Sequence, residues 1–402
     1  MTWLELGPDH PFGLGNLPYG SFLDSAGRRH AAVRIGDDAL SLTQATEALA
    51  AEYAAVFADG SLDRFLAAGR PAWTAVRSLV TSWLTDEAHR PVVEPLLRSL
   101  DGLELLLPFT VGDYVDFYAS EQHATNVGRM FRPGQEPLTP NWKHLPIGYH
   151  GRSGTVVVSG TDVRRPAGQA RDADGSVVFG PSRRLDLEAE VGFVVGSRST
   201  LGEPVPLAAF ADHVFGVCLV NDWSARDIQA WEYVPLGPFL GKSFATSVSA
   251  WITPLAALAA ARLPGPRRDP APLPYLDDTS DPWGLDIDLE VRLNGELISS
   301  PGFAGMYWTP AQMLAHLTVN GASVRPGDLF ASGTVSGAGR RERGSLLELA
   351  WGGTEPLVLA DGSTRTFLDD GDEVVLSASA PAADGARIGL GEVRGRVTPA
   401  RY

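Results

Sequence analysis

From about residue 110 to the C-terminus, apolar and polar residues alternate over short runs that glycine and proline interrupt at close intervals. Such punctuation predicts a large, mainly antiparallel β structure. The first 105 residues have another texture. After the turn-rich Pro11-Phe12-Gly13-Leu14-Gly15-Asn16-Leu17-Pro18-Tyr19-Gly20, short strands such as Ala31–Ile35 are followed by alanine-rich stretches around 43–57 and 72–105 that read as helices. A chain of 402 residues exceeds what one core ordinarily supports. The change of texture near Leu105 to Pro108 therefore predicts two domains, 1–107 and 108–402. Within the second, Ala256 to Pro274 is rich in Ala, Pro and Arg and reads as a surface excursion.

One alternating run carries more than a fold signal. In Leu185-Asp186-Leu187-Glu188-Ala189-Glu190-Val191, an extended strand would point Glu188 and Glu190 to one face and Leu187, Ala189 and Val191 to the other. Carboxylates held that close repel unless neutralised, and a hard divalent cation with oxygen ligands does this well. Asp116 and Asp222 are candidates to join them. The plain alternative is a half-buried strand with its charges in water. Leu285-Asp286-Ile287-Asp288-Leu289-Glu290-Val291 has the same pattern and runs into Asn294-Gly295, a hairpin signal. Upstream, Asp116 to Asn126 suggests a helix with His123 seven residues after Asp116, on the same face. A histidine there can serve as a general base beside an ion, or simply as a structural hydrogen-bonding group.

Composition narrows the classes. With 33 basic and 48 acidic residues the net charge is −15, which opposes binding to a phosphate backbone, and nucleic acid is not expected as a partner. The single cysteine, Cys218, lies in the apolar run Val214 to Val220 and reads as a packed thiol. No stretch is long enough to span a bilayer, and Met1 to Leu6 lacks the features of a signal peptide, so a cytoplasmic location is expected. Walker loops, a convincing Gly-x-Gly-x-x-Gly, zinc motifs and the serine-hydrolase elbow are all missing; Ser153 and Ser332 lie in glycine-rich turns without it.

Several longer runs are specific. Asn16 to Gly20, Asp113 to Phe131, Asn141 to Arg152, Asn221 to Phe244, Asn320 to Gly337 and Leu368 to Val374 make the sequence resemble the fumarylacetoacetate hydrolase family over nearly its whole length. The resemblance implies a mainly β, α+β fold: an SH3-like N-terminal barrel with helices, then a large mixed β-roll domain, in a homodimer. It implies metal-dependent hydrolysis of a carbon–carbon bond of 4-fumarylacetoacetate, a diketo dicarboxylic acid, to fumarate and acetoacetate, the last step of tyrosine and phenylalanine catabolism. The ion, Ca²⁺ or Mg²⁺ with Mn²⁺ also suited, would fall to Asp116, Glu188, Glu190 and Asp222. Lys242 and Thr246 match a further metal-associated position, Lys242 beside the ion rather than on it, since a protonated lysine is a poor ligand. Substrate contacts would fall to Tyr118, Arg132, Gln229, Tyr233 and Thr334. His123 would be the general base, oriented by Glu348, with Arg226, Gln229 and Lys242 as donors to an oxyanion.

Residue by residue, plainer readings stand beside these. Trp142 reads as packing, and Tyr149 as either a core aromatic or a site residue. Arg226 could pair with Asp227 or Asp222 as a structural bridge. By pattern alone Glu348, in Leu346-Leu347-Glu348-Leu349, is an exposed strand residue. Two other functions are open: a wider-family enzyme acting on acylpyruvates or other 2-oxo acids, and a metal-stabilised binding protein without turnover.

Overall fold

The computed structural model describes residues 2–7, 10–383 and 385–401. An N-terminal sheet of five antiparallel strands runs in the spatial order Leu97–Ser99, Asp38–Ser41, Arg29–Ile35, Tyr19–Leu23, Glu104–Leu105. Ser41 ends one strand and starts a helix, Leu42–Leu49, because its side chain accepts from the Gln44 N–H and satisfies an otherwise free donor. The helix Gly69–Thr85 buries Trp73, Val76, Val80 and Trp83, three or four residues apart, with Leu84 beside them, in a core shared with that sheet.

The helix expected over 72–105 stops at Thr85. Pro91 and Pro95 open separate short turns, and Leu97–Ser99 and Glu104–Leu105 pair with Asp38–Ser41 and Tyr19–Leu23. Strand pairing at both sheet edges overrides the helical propensity of these leucines.

The larger part is built on a mixed eight-stranded sheet. Its strands run Gly148–His150, Tyr114–Phe117, Leu329–Ala331, Ala189–Val195, Val214–Asp222, Thr246–Val248 and Val156–Val158, with Thr253–Pro254 attached to Val214–Asp222. A second sheet of five strands, including Asp288–Leu293, Glu373–Pro381 and Arg387–Thr398, covers one face. Val191, Phe193, Val217 and Leu219 pack into that shared core, whereas Val194, Cys218 and Val220 face the N-terminal layer with Tyr19, Phe65 and Trp73. All nine residues of Val214–Asp222 are therefore buried, as expected of a strand covered on both sides. Burial pushes the Cys218 thiol up to about 12, so it is the packed thiol expected.

The alternating run at 185–191 is not one strand. Leu185–Asp186 pairs with Ser224–Ala225, Leu187 and Glu188 lie outside regular pairing, and Ala189–Val195 joins the central sheet. Leu187, Ala189 and Val191 are nevertheless all in the core. The similar run at 285–291 is also interrupted, but Asp288–Leu293 turns Leu289, Val291 and Leu293 inward and leaves Asp288 and Glu290 outward. Asn294 and Gly295, both at positive φ, close its hairpin. Ala256 to Pro274 is only partly an excursion, since Ala257, Leu258 and Ala261 are core residues. Among the described residues no helix is long and apolar enough to cross a membrane.

Candidate active site

The two-residue period of the sheet assembles the first half of the site. Asp116 shares the strand face of Tyr114, which packs toward the N-terminal layer, and Val115 and Phe117 take the other core. Asp222 lies two residues beyond Val220, and Val220 pairs with Glu190. These carboxylates and Glu188 thus meet at one end of the sheet, all buried, with one oxygen from each within 4.8 Å of the others.

The cluster is short of positive charge. Arg226 Nη2 binds Glu188 Oε1 at 2.6 Å and Asp186 Oδ2 at 2.7 Å, and Lys242 Nζ binds Glu188 and, at 2.5 Å, Asp222 Oδ2. Five carboxylates against two cations leave three negative charges uncompensated. Burial pushes the Asp116 and Glu190 carboxyls well above their usual range, and neighbouring carboxylates add to it. Asp222 is raised mainly by burial, with Lys242 opposing. Burial would raise Glu188 too, but Arg226, Lys242 and His123 together hold it below the usual carboxylate range. Asp116 Oδ1 and both oxygens of Glu190 have no hydrogen-bond partner within the protein. Buried, unpaired carboxylate oxygens converging on a net negative point fit a hard divalent cation.

The second half of the site comes from a helix, Glu121–Phe131, and not from the helical face expected. Asp116 is in the strand Tyr114–Phe117, and Ser120, with extended backbone, caps the helix by accepting from the His123 N–H, so the two residues share no helical face. His123 Nδ1 lies 2.6 Å from Glu348 Oε2, and its Nε2 lies 3.8 Å from Glu188 Oε1. Glu348 is not an exposed strand residue. It is fully buried in the single helical turn Leu346–Leu349 and accepts from Asn126 at 2.8 Å, Ser336 at 2.8 Å and Ser345 at 3.0 Å. Burial would raise its pKa, but His123 and these hydrogen bonds bring it below the usual value. An ionised Glu348 only accepts, so Nδ1 carries the proton, and in the neutral imidazole it is Nε2 that presents the lone pair.

Both halves open into a cavity of about 470 Å³. Tyr118, Arg132, Gln229, Tyr233 and Thr334 all line it. Arg132 Nη2 donates to the Pro137 carbonyl at 2.6 Å, Gln229 Oε1 accepts from Arg226 at 3.2 Å, and the buried Thr334 hydroxyl has no partner within the protein. Burial raises the Tyr118 phenol, which keeps it a donor. Tyr233 is half exposed at the rim. Thr246 Oγ1 donates to Asp222 Oδ1 at 3.1 Å. Trp142 packs, its indole N–H donating to the Tyr118 carbonyl at 3.1 Å. Tyr149 belongs to the site, donating to Asp222 Oδ2 at 3.1 Å.

Arg226 bonds neither Asp227 nor Asp222 but Asp186 and Glu188. Asp186, Asn126 and Ser336 are participants that sequence reasoning missed. Asp186 stands in the same alternation as Glu188 and Glu190, and Asn126 lies three residues from His123 on one helical face. Ser336 has no such signal.

Comparison with known proteins agrees with this architecture. A family model described as "Fumarylacetoacetase N-terminal" matches residues 15–108, and one described as "Fumarylacetoacetate (FAA) hydrolase C-terminal" matches 114–398. The fumarylacetoacetases of Rattus norvegicus and Homo sapiens are each 46% identical over 417 residues, covering 100% of this chain and 99% of theirs. That of Arabidopsis thaliana is 45% identical over 422 residues, 99% of this chain and 98% of its own. Among solved structures, a fumarylacetoacetate hydrolase from Exiguobacterium antarcticum superposes with a TM-score of 0.57 at 18% identity, over 96% of this chain and all of that one. A maleylpyruvate hydrolase from Sphingobium sp., complexed with manganese(II) and pyruvate, gives 0.53 at 16% identity, over 96% and 100%. At such identities these structures bear on the fold alone.

Proposed function

The chain belongs to the fumarylacetoacetate hydrolase family, and on that premise we propose how its residues carry out the family's reaction. It is a hydrolase of the carbon–carbon bond in 4-fumarylacetoacetate, releasing fumarate and acetoacetate. Carbon is a poor leaving group unless its developing charge is delocalised. A divalent cation, Ca²⁺, Mg²⁺ or Mn²⁺, held by Asp116, Glu188, Glu190 and Asp222 would supply Lewis-acid stabilisation of that charge on the diketone oxygens. Lys242 supports the set through Glu188 and Asp222, whose charges outweigh its burial and keep it protonated, and Thr246 and Tyr149 steady Asp222.

His123 Nε2 takes a proton from water as the oxygen attacks the carbonyl beside the fumaroyl double bond, and the imidazolium can return that proton to the departing carbon. Glu348 fixes the tautomer and stabilises the cation formed at His123. Arg226, Gln229 and Lys242 donate toward the oxyanion, where losing one donor typically costs about 10² to 10³ in rate. Arg132 with Tyr118 and Tyr233 suits a terminal carboxylate, and the unpartnered Thr334 hydroxyl suits a further polar group.

The reading also takes in two domains, 1–107 and 108–402, a homodimer, a cytoplasmic location and the last step of tyrosine and phenylalanine breakdown, supported by the family relationship. The observation that carries the mechanism is the Glu348-bound His123 facing Glu188 beside carboxylate oxygens with no protein partner. The test follows loss of diketone absorbance with fumarylacetoacetate and, separately, with acylpyruvates. The first should be the better substrate by kcat/KM, and His123→Ala should keep metal and fold while losing about 10² or more in rate. Preference for acylpyruvates, or wild-type turnover in the variant, would count against it.

A further inference from the structure

Asp186 has no part in the mechanism above, does not line the cavity, and is fully buried. Its oxygens are nevertheless heavily engaged. Oδ1 accepts from the Leu187 N–H and the Leu346 N–H, each at 2.8 Å. Oδ2 accepts from the Leu347 N–H at 3.2 Å, from Arg226 Nε at 2.8 Å and from Arg226 Nη2 at 2.7 Å. Leu346 and Leu347 are the residues immediately before Glu348, and Arg226 is the cation bound to Glu188. One carboxylate therefore ties the backbone that aims Glu348, and through it His123, to the guanidinium that binds Glu188.

We infer that Asp186 is a positioning residue of the hydrolysis, holding Arg226 and the Glu348 turn in a fixed mutual geometry so that the proton acceptor and the oxyanion donor meet the substrate together. The inference rests on the roles given above to His123, Glu348 and Arg226. With Asp186 on its Nε and Nη2 the planar guanidinium cannot pivot, whereas without it only Glu188 at Nη2 and Gln229 at Nη1 remain and the Nε edge is free to tilt. The Glu348 side chain has its own hydroxyl and amide partners, so losing Asp186 leaves that carboxylate bonded but frees the backbone beneath it. Misplacement by about 1 Å at a reacting centre can cost about 10² in rate.

The experiment uses the full-length, metal-loaded protein and Asp186→Asn, which keeps the shape and loses the charge and one acceptor. Rates are expressed per bound metal ion, so any unfolded fraction drops out. Expected are a fall in kcat of about tenfold to a hundredfold, KM within about twofold of wild type, and unchanged metal content. A double-mutant cycle supplies the reading that a merely structural role would not move. On the slower Glu348→Gln background, Asp186→Asn should cost no more than about threefold further, because both changes disable one unit. Asp186→Glu, which keeps the charge but displaces it by a methylene, should also lower kcat. Unchanged kcat in both Asp186 variants, a rise in KM alone, or a full multiplicative loss on the Glu348→Gln background would overturn the inference. Failure of the mechanism itself appears separately, as a Glu348→Gln single variant with the wild-type rate.

Discussion

At the scale of single residues the site is governed by which carboxylates are neutralised. Glu188 touches two cations and sits low on the pH scale, whereas Asp116 and Glu190 touch none and sit high. Glu348 is the informative case away from the metal cluster, because hydrogen bonds and His123 hold its buried carboxyl below its ordinary value. A carboxyl lowered in the folded state contributes stability above its unfolded pKa, near 4.5, and that contribution is lost as pH falls through the lower folded value. Glu348→Gln lacks it at every pH. Thermal midpoints of wild type and variant, measured from neutral to strongly acid pH, should therefore converge as pH drops below about 4.5. A gap that stays constant or widens in acid would show that the charge of Glu348 contributes nothing. The convergence of the four carboxylates, the His123–Glu348 pair and the cavity lining were legible because the site runs resemble a known family. Asp186 was not, although the period-two argument applied to Glu188 and Glu190 reaches it equally, because its partners are backbone amides 160 residues away.

At the scale of elements, pattern was reliable for which side chains are buried and poor for where elements stop. The 185–191 run breaks at Leu187 and Glu188, yet its apolar residues are all in the core. The break serves the site, since the Glu188 N–H leaves the ladder to bond the Asn221 side chain at 3.0 Å. The supposed helix joining Asp116 to His123 failed because Ser120 is a strong cap and the preceding residues pair as a strand, both decided by tertiary context. The helix Glu121–Phe131 also meets the segment beyond it closely. A Cβ on Gly128 would collide with the Pro137 carbonyl, which also receives Arg132, and Pro137, Leu138 and Thr139 line the cavity. Gly128→Ala should therefore destabilise the fold by about 1–3 kcal/mol, as overpacking does, and should raise KM more than it lowers kcat, because the displaced Pro137 carbonyl holds Arg132, the proposed partner of a substrate carboxylate. Denaturant unfolding with steady-state kinetics checks both, and an unchanged KM would detach this segment from substrate binding.

At the scale of the whole molecule, a central sheet covered on both faces lets buried charges persist at one of its ends. The second core is continuous from Leu17 through Trp73 to Phe215 and Val220, so the N-terminal layer packs against the back of strands that carry Glu190 and Asp222. A rigid frame cannot relax by letting carboxylates swing into water, and the excess of three negative charges must be met by protons or by a cation. For Asp116 and Glu190, whose folded pKa values lie above the unfolded ones, the metal-free protein binds more protons than the unfolded chain. Its stability from these groups is fully present below their unfolded values of 3.8 and 4.5 and is lost as pH rises through the raised folded values. A bound divalent ion replaces those protons. Chelation should thus lower the thermal midpoint little in acid and progressively more toward neutral pH, and restoring ion at about a hundredfold excess over Kd should return about 2.7 kcal/mol. Scanning calorimetry of chelated and metal-saturated protein across that range decides the matter. Midpoints that differ by a constant amount at every pH, or not at all, would mean that the four carboxylates are neutralised within the chain and need no ion.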